Sequence, residues 1–159
     1  PNLISYSAVI SACERGKQWE RALGMLVDMH ERGLEADAIS FSAAISACEK
    51  AKQWERALRL MAAMQEQDLE PNVITYNAAI SACEKGEQWF RALWLLADMQ
   101  EQDLVPSVVS FSAVISACEK CEQWERALVV FMRMRGHELE PNVVSYNSAI
   151  SACEKGRQW

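Results

Sequence analysis

Positive charge is in deficit in this chain: 16 Lys and Arg stand against 22 Asp and Glu, a net charge of −6 over 159 residues. That excludes a strongly basic, sequence-indifferent nucleic-acid binder, whose affinity comes from excess cations against phosphate. No apolar run approaches the length of about 20 residues that a membrane helix needs, so no membrane partner is expected. No signal or transit segment is visible. The chain opens on Pro1-Asn2 with no initiator methionine, and is expected to be a piece of a longer one. Histidine is scarce, with only His30 and His137, both expected to be solvated. There is no phosphate-cradling glycine loop and no nucleophile beside a positioned base. Asp and Glu are spread along the chain as exposed charge rather than paired in a cleft. No enzyme, cofactor, metal or small-molecule substrate is therefore expected. Half of the residues are apolar and about a quarter charged, which argues against disorder.

Cysteine and tryptophan are abundant, with six of each. Their positions explain the number. Cys13, Cys48, Cys83, Cys118 and Cys153 step by 35 residues, as do Trp19, Trp54, Trp89, Trp124 and Trp159. Only Cys121 and Trp94 fall outside the two series. The strings SACE and RAL recur with them. Length alone suggests one domain with a core, but a fixed period of this size means stacked supersecondary units. The units are residues 3–37, 38–72, 73–107 and 108–142, followed by the first helix of a truncated fifth over 143–159. Residues 1–2 close a preceding unit.

Within a unit, positions 4, 7, 8 and 11 are apolar, as in Tyr76, Ala79, Ile80 and Cys83. That spacing is one stripe of an amphipathic helix. A weak helix former at position 14 (Gly16, Gly86, Gly156) marks a turn. Trp89, Ala92, Leu93, Leu96 and Met99 repeat the pattern as a second helix. A loop such as DLEPN closes the unit, and its proline (Pro71, Pro106, Pro141) disfavours helix at the residue before it. No stretch reads as a strand. The expected fold is all-α, a right-handed superhelical solenoid of antiparallel helix pairs. Alanines at positions 6 and 10 (Ala8, Ala12, Ala43, Ala47, Ala78, Ala82, Ala113, Ala117) would let neighbouring helices approach. The Trp at position 17 reads as a large core residue, and the periodic cysteines as small buried hydrophobes. Cys118 and Cys121 form one C-x-x-C, but no second pair or suitably spaced histidine completes a zinc site.

Helical geometry puts positions 2, 5, 9, 12 and 13 opposite the core stripe. Position 2 is always branched and apolar: Ile4, Ile39, Ile74, Val109, Val144. Position 5 is Ser7, Ser42, Asn77, Ser112 or Asn147, and position 9 is always Ser. Position 12 is always Glu, and position 13 always basic: Arg15, Lys50, Lys85, Lys120, Lys155. A face meeting only water needs no row of Ile and Val. One wedge, one polar group and one cation per unit suit a single-stranded polynucleotide.

These residues resemble the pentatricopeptide repeat family, of the P-type with 35-residue units. The likeness rests on openings such as VITYN and VVSYN, the A-L pair early in the second helix, a Met near its end and a closing L-x-P-N, and it covers the whole chain. Ala36 departs from it, standing where the other units have proline. The resemblance implies sequence-specific binding of single-stranded RNA, one nucleotide per repeat, in organellar RNA processing or expression in chloroplast or mitochondrion. It implies that position 5 and position 35 of the same repeat choose the base. Position 2 of adjacent repeats (Ile4, Ile39, Ile74, Val109, Val144) would sandwich the base. The cation at position 13 (Arg15, Lys50, Lys85, Lys120, Lys155) would meet phosphate.

A short Ser leaves space for a purine, while Asn reaches further and suits a pyrimidine. An acidic position 35 accepts from the Watson–Crick edge of G or U, whereas Asn donates to A or C. On that logic Ser7 with Asp37 favours G, and Ser42 with Asn72 favours A. Asn77 with Ser107 favours a pyrimidine, C before U. Ser112 with Asn142 favours A, and Asn147 a pyrimidine. The expected preference is 5′-G-A-Y-A-Y-3′. Two other readings stand beside this one. The chain is a helical-repeat scaffold for protein partners, or the full-length protein carries a catalytic domain elsewhere.

Overall fold

The structure is a computed structural model that describes residues 2–156. Pro1, Arg157, Gln158 and Trp159, the last of the tryptophan series, lie outside the described residues. Among the described residues there are nine α-helices and no strand. First helices are α1 (Leu3–Arg15), α3 (Ala38–Lys50), α5 (Val73–Lys85), α7 (Val108–Lys120) and α9 (Val143–Lys155). Second helices are α2 (Trp19–Glu31), α4 (Trp54–Glu66), α6 (Trp89–Glu101) and α8 (Trp124–Gly136). In the 35-residue numbering these are positions 1–13 and 17–29 without exception.

Helices of 13 residues are marginal in water by themselves, so their ends and their packing decide whether they form. Each first helix is capped by the last residue of the preceding repeat. The side-chain Oδ1 of Asn2, Asp37, Asn72 and Asn142 accepts the backbone N–H three residues on, at 2.8–3.0 Å. Ser107 uses its hydroxyl in the same way, within a capping box with Ser110. Both helices of a unit end in a left-handed residue. After the first it is Lys17, Lys52, Glu87 or Glu122, with φ between 55° and 59°. After the second it is Gly33, Asp68, Asp103 or Glu138. Long-range turn bonds close both ends, such as Gln53 N–H to the Cys48 carbonyl at 2.8 Å and Leu104 N–H to the Met99 carbonyl at 3.0 Å. This is the Schellman pattern. The second helices thus stop before the closing prolines, which only follow a turn already made.

The chain divides into two compact units, residues 1–82 and 83–159, and the division falls inside α5. In the first unit, α1 packs on α2 and α3, and α3 on α4. Tyr6, Ile10, Ala22, Met29, Ala44 and Ala47 form its buried cluster. In the second, α7 packs on α6, α8 and α9 around Leu95, Met99, Phe111, Ile115 and Met134. The expected apolar stripe is buried except at Val9 in α1 and at Tyr146 and Ile150 in α9; Cys153 is half-buried. Ala43, Ala47, Ala78, Ala82 and Ala117 are buried as expected, whereas Ala8 and Ala12 are exposed. Burial pushes the Cys48 and Cys83 thiols up to about 11 and Cys118 to about 12, so all three are neutral packing groups.

Two expectations about local roles are corrected. Position 14 does end the helix, but its backbone is ordinary, with φ −82° at Gly16 and −74° at Gly156. The left-handed residue is the next one. At Gly156 the reason for glycine is space: a Cβ there would lie 2.5 Å from the Trp124 ring. Trp19, Trp54, Trp89 and Trp124, for their part, are half-buried rather than core residues. They begin the second helices, and Arg56 lies 4.3 Å above the Trp19 ring and Arg126 5.7 Å from that of Trp89. Trp19 and Trp89 thus each join their repeat to the next through a cation–π contact.

These ends give opposite expectations for two substitutions. Lys52→Gly relieves a left-handed non-glycine residue and should raise stability by about 1 kcal/mol. Gly156→Val forces a side chain into the Trp124 ring and should lower stability by about 1–3 kcal/mol. Urea denaturation of both variants beside the parent chain checks the pair of signs.

Candidate nucleic-acid interface

One face of the first helices carries the row expected at position 2. Ile4, Ile39, Ile74, Val109 and Val144 are all between 55% and 76% exposed. Each sits one residue inside its helix, next to the cap, so the cap residue and the wedge are neighbours by construction. The cap at position 35 is held by backbone, and its bonds determine which atoms remain. In Asp37, Asn72 and Asn142 the side-chain hydrogen bonds all fall on Oδ1. Among the described residues the second side-chain atom, Oδ2 of Asp37 or Nδ2 of the asparagines, makes no bond. Ser107 has a single hydroxyl, and the cap with Ser110 uses it.

Position 5 lies beside this cap wherever one compact unit holds both. Ser7 Oγ is 2.8 Å from Ser40 Oγ, and Ser42 Oγ is 2.7 Å from Thr75 Oγ1. Ser112 donates directly to Asn142 Oδ1 at 3.2 Å. Asn147 is exposed and Asn77 half-buried. The linking residue, position 3, was not among the expected site residues. Its hydroxyl recurs in every unit (Ser5, Ser40, Thr75, Ser110, Ser145), three residues after a capping side chain. That spacing was the available signal.

Positions 9, 12 and 13 prove to be joined. Lys50 Nζ meets Glu14 Oε1 at 2.8 Å, Lys120 meets Glu84 at 2.5 Å and Lys155 meets Glu119 at 2.7 Å. The Glu belongs each time to the preceding repeat. Ser116 and Ser151, at position 9, donate to the same carboxylates, Glu84 and Glu119, at 3.1 and 2.7 Å. Three of the lysines expected to meet phosphate are therefore already paired. Arg15, exposed, has no ion-pair partner among the described residues. Burial alone would raise Glu119, but the hydrogen bonds from Lys155 and Ser151, with the lysine charges, hold its carboxyl below the ordinary value of 4.5. The Glu119 carboxylate in turn raises Lys155 above 10.5. Both histidines are exposed, with His137 tilted against the Phe111 ring at 5.5 Å. Cys118 and Cys121 are free thiols, and Cys121 lies 3.1 Å from the Glu87 carbonyl. No cluster that could hold a metal occurs among the described residues.

Models of the pentatricopeptide repeat domain match residues 24–85 and 94–155, and those of the single pentatricopeptide repeat match 4–34 and 74–104. No curated protein matches the chain. Among solved structures, maize PPR10 is similar with a TM-score of 0.84 and 19% identity, over 99% of this chain and 23% of its own. PPR10 in complex with an 18-nucleotide psaJ RNA element gives a TM-score of 0.81 at 23% identity, with the same coverage. The pentatricopeptide repeat domain of Arabidopsis thaliana protein-only RNase P 1, in complex with tRNA, gives 0.88 at 12% identity, over 98% of this chain and 82% of that one. The likeness supports the expected all-α solenoid, and the chain spans about a quarter of the length of PPR10.

The Glu119–Lys155 pair has a pH signature. Glu119 binds protons less readily folded than unfolded, so its stabilisation is complete above 4.5 and lost as pH falls through the lowered value. Lys155 is raised, so its part is complete below 10.5 and lost as pH rises through the higher value. Chemical denaturation from pH 2 to 7 (roughly) should give a shallower acid limb for Glu119→Gln than for the parent.

Proposed function

Because the chain belongs to the pentatricopeptide repeat family, we propose that it binds single-stranded RNA in a sequence-specific way, one nucleotide per repeat, and carries out no chemistry of its own. The observation that carries this reading is the exposed position-2 row beside the caps Asp37, Asn72 and Asn142, each of which keeps one polar atom unused. An apolar wedge on either side of a base supplies stacking contact, which is worth about 1–3 kcal/mol per base with aromatic platforms and less with Ile or Val. Asp37 offers an outward acceptor, and Asn72 and Asn142 an outward donor. That supports G opposite the first repeat and A opposite the second and fourth. Asn77 and Asn147 give the third and fifth a pyrimidine, and the preference is 5′-G-A-Y-A-Y-3′. Ser107 spends its hydroxyl on capping, so the third nucleotide is the least discriminated. The RNA-bound state of PPR10 and the tRNA-bound state of the RNase P domain support RNA as the ligand class. Organellar RNA processing or expression in chloroplast or mitochondrion follows as the setting, and the division into 35-residue repeats from Leu3 as the reading frame.

The cations of position 13 enter this reading as paired groups. RNA phosphate must compete with Glu14, Glu84 and Glu119 for Lys50, Lys120 and Lys155, which keeps binding by charge alone weak. A second reading, a scaffold for a protein partner, draws on Phe90 and Trp94 of α6 and Val129 and Met132 of α8. These are exposed apolar residues on second helices, away from position 2.

Titration of labelled RNA containing GACA against a scrambled RNA of equal composition, at fixed salt, checks the code. GACA should bind tighter, and equal binding rejects the assignment. Asp37→Asn keeps the cap and should move the first-nucleotide preference from G towards A. In the same assay Glu84→Gln frees Lys120. It should tighten RNA binding and steepen the slope of log K against log salt by about 0.7, the increment for one more phosphate contact on a single strand.

A further inference from the structure

The hydroxyls of position 3 are fully buried at Ser40 and Thr75, and each reaches a position-5 serine of the preceding repeat as well as its own cap. In the second repeat, Thr75 Oγ1 donates to Asn72 Oδ1 at 3.1 Å, and Ser42 Oγ lies 2.7 Å from the same Thr75 oxygen. A hydroxyl has one proton. With the Thr75 proton on Asn72, the short contact to Ser42 requires that Ser42 be the donor. Ser42, itself buried with 8% of its surface exposed, therefore keeps only lone pairs for any further partner. Asn72 is fixed by the same residue: Oδ1 receives both the N–H and the O–H of Thr75. An amide nitrogen could accept neither, so Nδ2 points away from the helix.

We propose that the position-3 hydroxyl is a buried positioning residue for base choice, because it sets the proton direction at position 5 and the amide orientation at position 35. This rests on the reading in which those two positions face one nucleotide. The second repeat then offers one acceptor, Ser42 Oγ, and one donor, Asn72 Nδ2. That pair complements the N6 amino group and N1 of adenine and mismatches guanine, which has O6 and N1–H in those places. The first repeat is built alike. Ser40 Oγ donates to Asp37 Oδ1 at 2.7 Å and sits 2.8 Å from Ser7 Oγ. Ser7 also lies 3.0 Å from the Leu3 carbonyl, so its proton is used in either direction. Two outward acceptors, Ser7 Oγ and Asp37 Oδ2, suit the N1–H and N2 amino donors of guanine. In the fourth repeat Ser112 itself donates to Asn142 Oδ1 at 3.2 Å, and Ser145 Oγ lies 2.8 Å from the Asn142 carbonyl and 3.1 Å from Oδ1, so a serine acceptor and an amide donor arise there without the relay.

Thr75→Val keeps the shape and the capping N–H of residue 75 but removes the relay hydroxyl, so Ser42 becomes free to donate. The test measures binding of the 159-residue chain to two single-stranded RNAs, 5′-GACA and 5′-GGCA, which differ only opposite the second repeat. The parent should prefer GACA, and Thr75→Val should reduce that ratio by about three- to tenfold, the worth of one hydrogen bond. Thr75→Ser should restore it. The ratio of GACA to AACA, which reports the first repeat, should stay unchanged, and thermal melting of each variant accompanies the binding data. An unchanged GACA-to-GGCA ratio in Thr75→Val, with a parent that discriminates, overturns the proposal. So does an equal loss at both nucleotides with a lowered melting midpoint, since that marks a structural role. A parent that binds all of these RNAs equally overturns the underlying one-nucleotide reading instead.

Discussion

The hydrogen bond from a position-3 backbone N–H to the side chain before the helix ties each repeat to the next. It satisfies one of the four amide groups that a helix start leaves unpaired. The capping residue is covalently the end of one repeat and structurally the beginning of the following one. Its side chain therefore cannot move without loosening a first helix. The exposed Ile or Val of position 2 follows two residues later, so wedge and cap keep a constant offset along the chain. The same constraint brings position 5 of one repeat to position 3 of the next, as Ser42 meets Thr75 and Ser7 meets Ser40.

The acidic balance of the chain acquires a structural meaning from the ladder of Glu, Lys and Ser. Within one helix, adjacent Glu and Lys would point apart and do little for each other. Between neighbouring repeats, position 12 of one meets position 13 of the next. Isolated exposed pairs are weak and salt-sensitive, but at Glu84 and Glu119 a serine donor on the same carboxylate adds a directional contact. The ladder neutralises most of the cations facing the position-2 row. On the proposed reading, an RNA that binds there gains its specificity from caps and wedges rather than from charge.

Much of this was legible before the coordinates. The 35-residue step of Cys and Trp, the apolar stripe of Tyr76, Ala79, Ile80 and Cys83, and the small residues of positions 6 and 10 predicted the helix pairs. Those signals are local and periodic, and packing agrees with them. What was not legible concerned partners in the next repeat. Helical geometry shows that Glu84 and Lys120 share a face, but not that a rise between repeats puts them in contact. Trp124 has the volume of a core residue, and only the close approach of Gly156 shows that its ring fills an inter-repeat contact. Likewise Lys52 and Glu122 carry no mark of a left-handed backbone, because the turn bonds to Cys48 and Cys118 impose it.

The set of residues able to serve at position 35 follows from capping physics. Ser, Thr, Asp and Asn stabilise a helix start by about 1 kcal/mol over alanine, and the chain uses Asp37, Asn72, Ser107 and Asn142 there. Of these types, only Asp and Asn carry a second polar atom, so only they can cap and present a group outward together. They are near-isosteric and cap almost equally well, yet one shows an acceptor and the other a donor. On the proposed one-nucleotide reading, base preference thus changes from one repeat to the next at little cost in helix stability. The backbone N–H of position 3, joined by its buried hydroxyl, keeps the amide from turning over, because an amide nitrogen can accept neither.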